Sequence, residues 1–175
     1  MIEKLCVAAA LLAASSAAPA AEPAATPVPA SVRALSGCWE GRGEVMGKAV
    51  AVAISAYPIV GDAMVAVEAA SSAIADPEDQ YAAHLILGGG GKQPNKAAEP
   101  IVGYWADSFG GAFAASARGE SRADGFDMTY QYPDNAYVNR WRIAGDRLTW
   151  EIVARSKGGV QKPFAKYALR KGACR

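Results

Sequence analysis

The sequence predicts an all-β fold: an antiparallel up-and-down barrel of about ten strands behind one short helical turn. Three observations predict it. Short segments of alternating polarity recur along the chain, punctuated by Gly, Asp, Asn and Pro turn signals. No segment has the length and period of a crossover helix, which disfavours a parallel sheet. Cys38 and Cys174 lie at opposite ends of the strand-forming region, and a bond between them would make the first and last strands neighbours. A β-sandwich satisfies the same alternation; the pairing of the chain's two ends favours the barrel.

The first twenty residues read as a signal peptide. Lys4, offset by Glu3, gives a minimal basic start, residues 5–14 are apolar, and Ala18-Pro-Ala20 has the small-x-small form of a cleavage site. The apolar run falls short of the roughly 20 residues that a membrane span needs. Cys6 lies at the start of that run and not behind it, so it is not the modified cysteine of a lipoprotein. The expectation is a periplasmic or secreted protein with no membrane span in its mature form. Residues 21–30, with three prolines, read as a disordered Pro/Ala-rich spacer, and residues 31–175 as one β-domain.

Removing the leader removes Cys6 and leaves two cysteines, most simply one disulfide in an exported chain. Closing a loop of roughly 135 residues is worth on the order of 4–5 kcal/mol in the chain-entropy account. Two free thiols or a metal pair are the alternatives, although one histidine and no CxxC leave little material for zinc.

The elements follow in order. Residues 31–35 suit one helical turn with Ser31 as N-cap, plugging one end of the barrel. In residues 39–45, Trp39, Gly41, Gly43 and Val45 share one face and Glu40, Arg42 and Glu44 the other, the period of a half-buried strand. Residues 49–56 form the second segment, ended by Tyr57-Pro58, and residues 63–74 the third. That third segment is Ala-rich and could be helical on propensity; its flanking Gly-Asp and Asp-Pro turns argue for a strand. Residues 81–87 are the fourth, followed by a Gly-rich loop over 88–100. Residues 101–107 and 112–118 are the fifth and sixth. In the next two segments, 126–132 and 137–143, one face carries Phe126, Met128, Tyr130 and Tyr132, then Tyr137, Asn139, Trp141 and Ile143. Residues 148–155 place Leu148, Trp150 and Ile152 together, and residues 164–170 complete the series. Large apolar side chains thus point inward and charges outward.

Gly37 and Trp39 head the first strand, and Arg170 lies in the last, close to Cys174. In this the chain resembles the calycin barrels of lipocalin or nitrobindin type. It is most similar to a group of bacterial exported domains of unknown function that begin Leu-x-Gly-x-Trp-x-Gly and carry a central Trp-x-Asp-Ser. Leu35, Gly37, Trp39 and Gly41 match the first motif, and Trp105, Asp107 and Ser108 the second. The resemblance covers residues 31–174. It implies that Arg170 covers Trp39 as a cation–π lid, worth about 0.5–2 kcal/mol, and that a central cavity holds one small ligand. Nitrobindin-type barrels hold haem iron through a histidine near the C-terminus, and residues 166–175 contain none. The sole histidine, His84, is a poor substitute, so no cofactor is expected.

Several function classes find no support. A net charge of +1, from 18 Lys and Arg against 17 Asp and Glu, argues against nucleic acid as a partner. Arg140 and Arg142 form the densest basic spot and fit a solvated strand face. Gly88 to Lys92 is not a phosphate loop, since no Ser or Thr follows the lysine. One histidine leaves little material for Ser-His or Cys-His catalysis, and no catalytic residue is assigned.

The expected function is binding of a small apolar or aromatic ligand inside the barrel. Trp105, Asp107, Tyr130, Tyr137, Asn139, Trp141 and Trp150 are the candidate ligand-binding residues, with Asn139 as the polar orienting group. Inner Gly41, Gly43, Ala115 and Ala117 are expected to leave the room. The same aromatics could instead pack as solid core, giving an envelope interaction protein with an exposed apolar patch. A third reading pairs Asp107 at the rim with Arg118 or Arg140 in a small hydrolase, isomerase or cyclase. The bland role for Asp107 and Ser108 is to cap the turn into Gly110.

Overall fold

In the computed structural model, which describes residues 25–91 and 97–174, ten antiparallel strands close into a single barrel. The strands are β1 (Gly37–Val45), β2 (Lys48–Ile59), β3 (Met64–Ala73), β4 (Gln80–Gly89), β5 (Pro100–Asp107), β6 (Ala115–Arg122), β7 (Gly125–Gln131), β8 (Asn135–Ala144), β9 (Arg147–Ser156) and β10 (Gln161–Gly172). Each pairs with its sequence neighbours, and β10 returns to pair with β1. Among the described residues no strand of the barrel is left with an open edge. The disulfide between Cys38 and Cys174 spans the closure, with Cα atoms 5.1 Å apart.

Period-2 alternation dictates which face is buried. In β9, Leu148, Trp150 and Ile152 are buried. The Ala-rich third segment is a strand, because it is paired on both sides and Val65, Val67, Ala69 and Ala73 reach the core. Register then assembles an aromatic belt. Phe126 lies opposite Trp141, Trp141 opposite Trp150, and Trp150 opposite Tyr167, so one row crosses four strands. The ring centroids follow at 5.7, 4.3 and 4.8 Å. The row ends at Gly43, opposite Tyr167. A Cβ on Gly43 would stand 2.4 Å from the Tyr167 ring, and one on Gly41 2.2 Å from the Ala168 carbonyl oxygen. These glycines therefore admit the crowding β10 strand; they do not enlarge the interior.

One end of the barrel is sealed. The helix α1 (Ala30–Arg33) lies there, and Val28, Val32 and Leu35 are buried with Trp39. The Trp39 indole N–H donates to the Leu35 carbonyl at 2.7 Å. Ser31 is not the cap: Pro29 holds the N-cap position without a side-chain bond, and the Ser31 hydroxyl is buried inside the first turn with no partner among the described residues. Of the spacer expected over 21–30, residues 21–24 lie outside the described residues, as does the leader; Val28 is 2% exposed and part of the core.

Three further details differ from expectation. Arg170 does not cover Trp39. The β1–β10 register sets Arg170 beside Glu40 on the outer face and Lys171 beside Trp39. Lys171 Nζ accordingly stands 5.3 Å from the Trp39 ring centroid, while Arg170 donates to Asp146. The sixth strand begins later than residue 112, because a 3-10 turn (Gly111–Phe113) intervenes. It runs further into polar sequence, where Arg122 pairs with Glu120 and Asp127. Finally, β4 continues through Gly88 and Gly89. A Cβ on Gly89 would meet the Pro27 carbonyl oxygen at 2.2 Å, so the incoming chain crosses β4 at a point only glycine allows.

Candidate functional site

Opposite the sealed end, the barrel opens into a cavity of about 690 Å³. Its polar and apolar parts come from adjoining strands by the same alternation that buries the core. Trp105 and Asp107 are two apart on β5 and share the inner face. Tyr130 comes from β7, Tyr137 and Asn139 from β8, Trp150 from β9, and Tyr167 from β10. Six of the seven sequence-predicted residues, Trp105, Asp107, Tyr130, Tyr137, Asn139 and Trp150, therefore meet around one space. Trp141 does not line it. It lies fully buried between Phe126 and Trp150 and stacks under the latter with planes 13° apart. The space itself is left by short inward side chains on the opposite wall, Val50, Ser71 and Ala73, and not by Gly41, Gly43, Ala115 or Ala117.

Asn139 is a polar residue buried in the core, 1% exposed. Its Oδ1 accepts the Trp150 indole N–H at 2.8 Å, which fixes the ring at the cavity floor. Trp105 meets Trp150 at 6.0 Å and Tyr130 edge-on at 5.2 Å. The Tyr130 hydroxyl is buried with no partner among the described residues. Burial holds the Tyr130 phenol well above its usual range, with Tyr132 adding to the effect. Burial likewise pushes the Tyr167 phenol up to about 12.

Asp107 sits at the mouth and serves two purposes. Its Oδ1 accepts the Phe109 backbone N–H at 3.0 Å, the turn-capping role. Its Oδ2 accepts the Tyr81 hydroxyl at 3.0 Å and the Trp105 indole N–H at 3.1 Å. Burial, and then the Asp107 charge, keep Tyr81 protonated well beyond its ordinary range. The rim pairing of Asp107 with an arginine does not form. Arg118 is exposed on the outer face, and Arg140 points outward and donates to Gln161 at 3.3 Å. The sheet separates both from the cavity.

Sequence reasoning missed Tyr81, Phe109, Phe113, Phe164 and Tyr167 as cavity residues. Tyr81, Phe164 and Tyr167 could have been found by extending the period-2 count into the fourth and last segments. Phe109 and Phe113 lie in a connection, where periodicity says nothing. With Met46 they ring the mouth: Met46 is 76%, Phe109 69% and Phe113 51% exposed. His84 faces outward beside Glu68, at 3.8 Å, and is absent from the cavity wall. Among the described residues, no group of three or more His, Cys, Asp or Glu is placed to hold a metal ion.

No protein-family model matches the chain, and no curated protein matches it in sequence. Solved structures do match in fold. Rv2717c from M. tuberculosis superposes with a TM-score of 0.61 at 15% identity, covering 83% of this chain and 99% of that one. The S-type phycobiliprotein lyase CPES from Guillardia theta superposes with a TM-score of 0.58 at 10% identity, covering 82% of this chain and 92% of that one. The likeness is one of fold, a closed antiparallel barrel of ten strands.

Proposed function

We propose that this protein is an exported carrier that binds one small apolar or aromatic ligand inside its barrel, lipocalin fashion. The carrying observation is the cavity of about 690 Å³, sealed at one end and walled by Trp105, Tyr130, Tyr137, Trp150 and Tyr167. That volume falls within the ~300–1,000 Å³ usual for small-molecule sites, which are mostly apolar with a few placed polar groups. The apolar ring at the mouth fits a ligand that leaves water on its way in. The phycobiliprotein lyase supports a shared scaffold; at 10% identity it supports no shared substrate. Export is inferred from the leader-like first twenty residues and from the disulfide, which suits an oxidising compartment. Among the described residues no helix is long and apolar enough to cross a membrane.

The test is a fluorescence titration of the mature protein with N-phenyl-1-naphthylamine, a neutral aromatic dye that brightens in apolar surroundings. The wild type should bind it saturably. Ser71→Phe, which fills the cavity from the β3 wall, should abolish binding with the circular dichroism unchanged. Equal binding by both proteins would place the dye elsewhere and defeat the proposal.

A further inference from the structure

Three carboxylates border the cavity: Asp79, Asp107 and Asp134. Asp79 is paired with Lys48 and Asp134 with Lys157. Asp107 meets no cation among the described residues. Its three donors, Tyr81, Trp105 and the Phe109 backbone, are all neutral. They orient the carboxylate and leave its charge uncompensated. Aromatic rings crowd the same point. Tyr81 and Phe109 lie 5.7 Å apart, Phe109 and Phe113 6.0 Å apart, and Trp105 is bonded to the carboxylate itself. An anion beside clustered aromatic rings is chemistry that suits an ammonium group: the carboxylate pairs with it, and a neighbouring ring face adds attraction where the cation lies over it.

We infer that the ligand carries a cationic amine, protonated or quaternary, seated at Asp107 between Tyr81, Trp105 and Phe109. Its apolar body then extends down to Trp150. The inference rests on the reading of the cavity as a ligand site and narrows the ligand to an amine-bearing aromatic or apolar molecule. Among the described residues the other two carboxylates at the cavity already have lysine partners, Lys48 and Lys157. Lys48 is held by Asp79 at the rim, and the deeper polar groups, Asn139, Tyr130 and Tyr167, are neutral.

Two probes with one body test it: 1-naphthylmethylamine, charged at pH 7, and 1-naphthalenemethanol, neutral. Calorimetry on the wild type should show the amine binding about tenfold to a hundredfold more tightly, the usual value of a hydrogen bond to a charged group. Asp107→Asn keeps the side chain's shape and removes its charge; it should bring the amine-to-alcohol affinity ratio down to about one. Should Asp107→Asn fail to fold, the wild-type ratio alone decides. Alcohol binding with no preference for the amine, or a preference that survives Asp107→Asn, overturns this inference and leaves the cavity reading standing. If neither probe binds the wild type, both readings fall.

Discussion

Cutting the Cys38–Cys174 disulfide should weaken the barrel without opening it. The bond joins residues 136 apart in sequence, so its removal frees a very long loop in the unfolded chain. The chain-entropy relation gives ~5 kcal/mol for such a loop, and typical losses are about 2–4 kcal/mol. The folded side of the balance changes little. Cys174 lies beyond the end of β10, and eight register pairs from Cys38–Gly172 to Val45–Ala165 still hold β1 to β10. Lys171 over Trp39 belongs to the strand and stays with it. The double variant Cys38→Ser with Cys174→Ser, or the wild type in dithiothreitol, should therefore unfold at a lower urea midpoint. Its denaturant slope should be steeper, because the unlinked chain exposes more surface. Tryptophan fluorescence would follow both. A loss below ~1 kcal/mol with an unchanged slope would show that the bond does not constrain the unfolded chain. Loss of native fluorescence in the absence of urea would show instead that closure depends on the covalent link.

Other changes probe the aromatic wall. Asn139→Leu deprives the buried Trp150 indole N–H of its acceptor; urea melts should show a loss of roughly 1–3 kcal/mol, and an unchanged midpoint would mean that water in the cavity takes over the bond. Tyr130→Phe removes a buried hydroxyl that has no partner among the described residues, so stability should hold or rise, and a loss above ~1 kcal/mol would reveal a further partner. Burial raises the Tyr167 phenol from its ordinary 10.0 to about 12 in the folded state. Above pH 10 the unfolded chain releases that proton first, so stability should be flat below pH 10 and decline as pH rises towards about 12. Melts across that range that stay level would refute the burial of the phenol.

Most of the barrel was legible because alternation and turn chemistry are local. Trp39 against Glu40, or Trp150 against Glu151, declares its face within a few residues. Closure was legible only through the two cysteines. Where expectation failed, the deciding partner was remote in sequence. Arg170 and Lys171 were separable only by the register with β1. Trp141 shares a face with Asn139, yet register seats it under Trp150 and away from the cavity. Gly41 and Gly43 look like empty space in the sequence, and the β10 strand fills it. Phe113 reads as strand by its apolar neighbours, but the 3-10 turn carries it to the mouth. The open volume depends on how ten walls converge, a sum that no single segment contains.

A ligand bound as proposed enters the barrel and lies against Trp105 and Trp150. Four tryptophans give four indole N–H resonances in a nitrogen-proton correlation spectrum. Titration with N-phenyl-1-naphthylamine should shift the Trp105 and Trp150 signals, which belong to the cavity wall. The Trp39 signal, from an indole bonded to Leu35 at the sealed end, should stay in place. Trp105 and Trp150 signals that remain still while the dye binds would contradict the account.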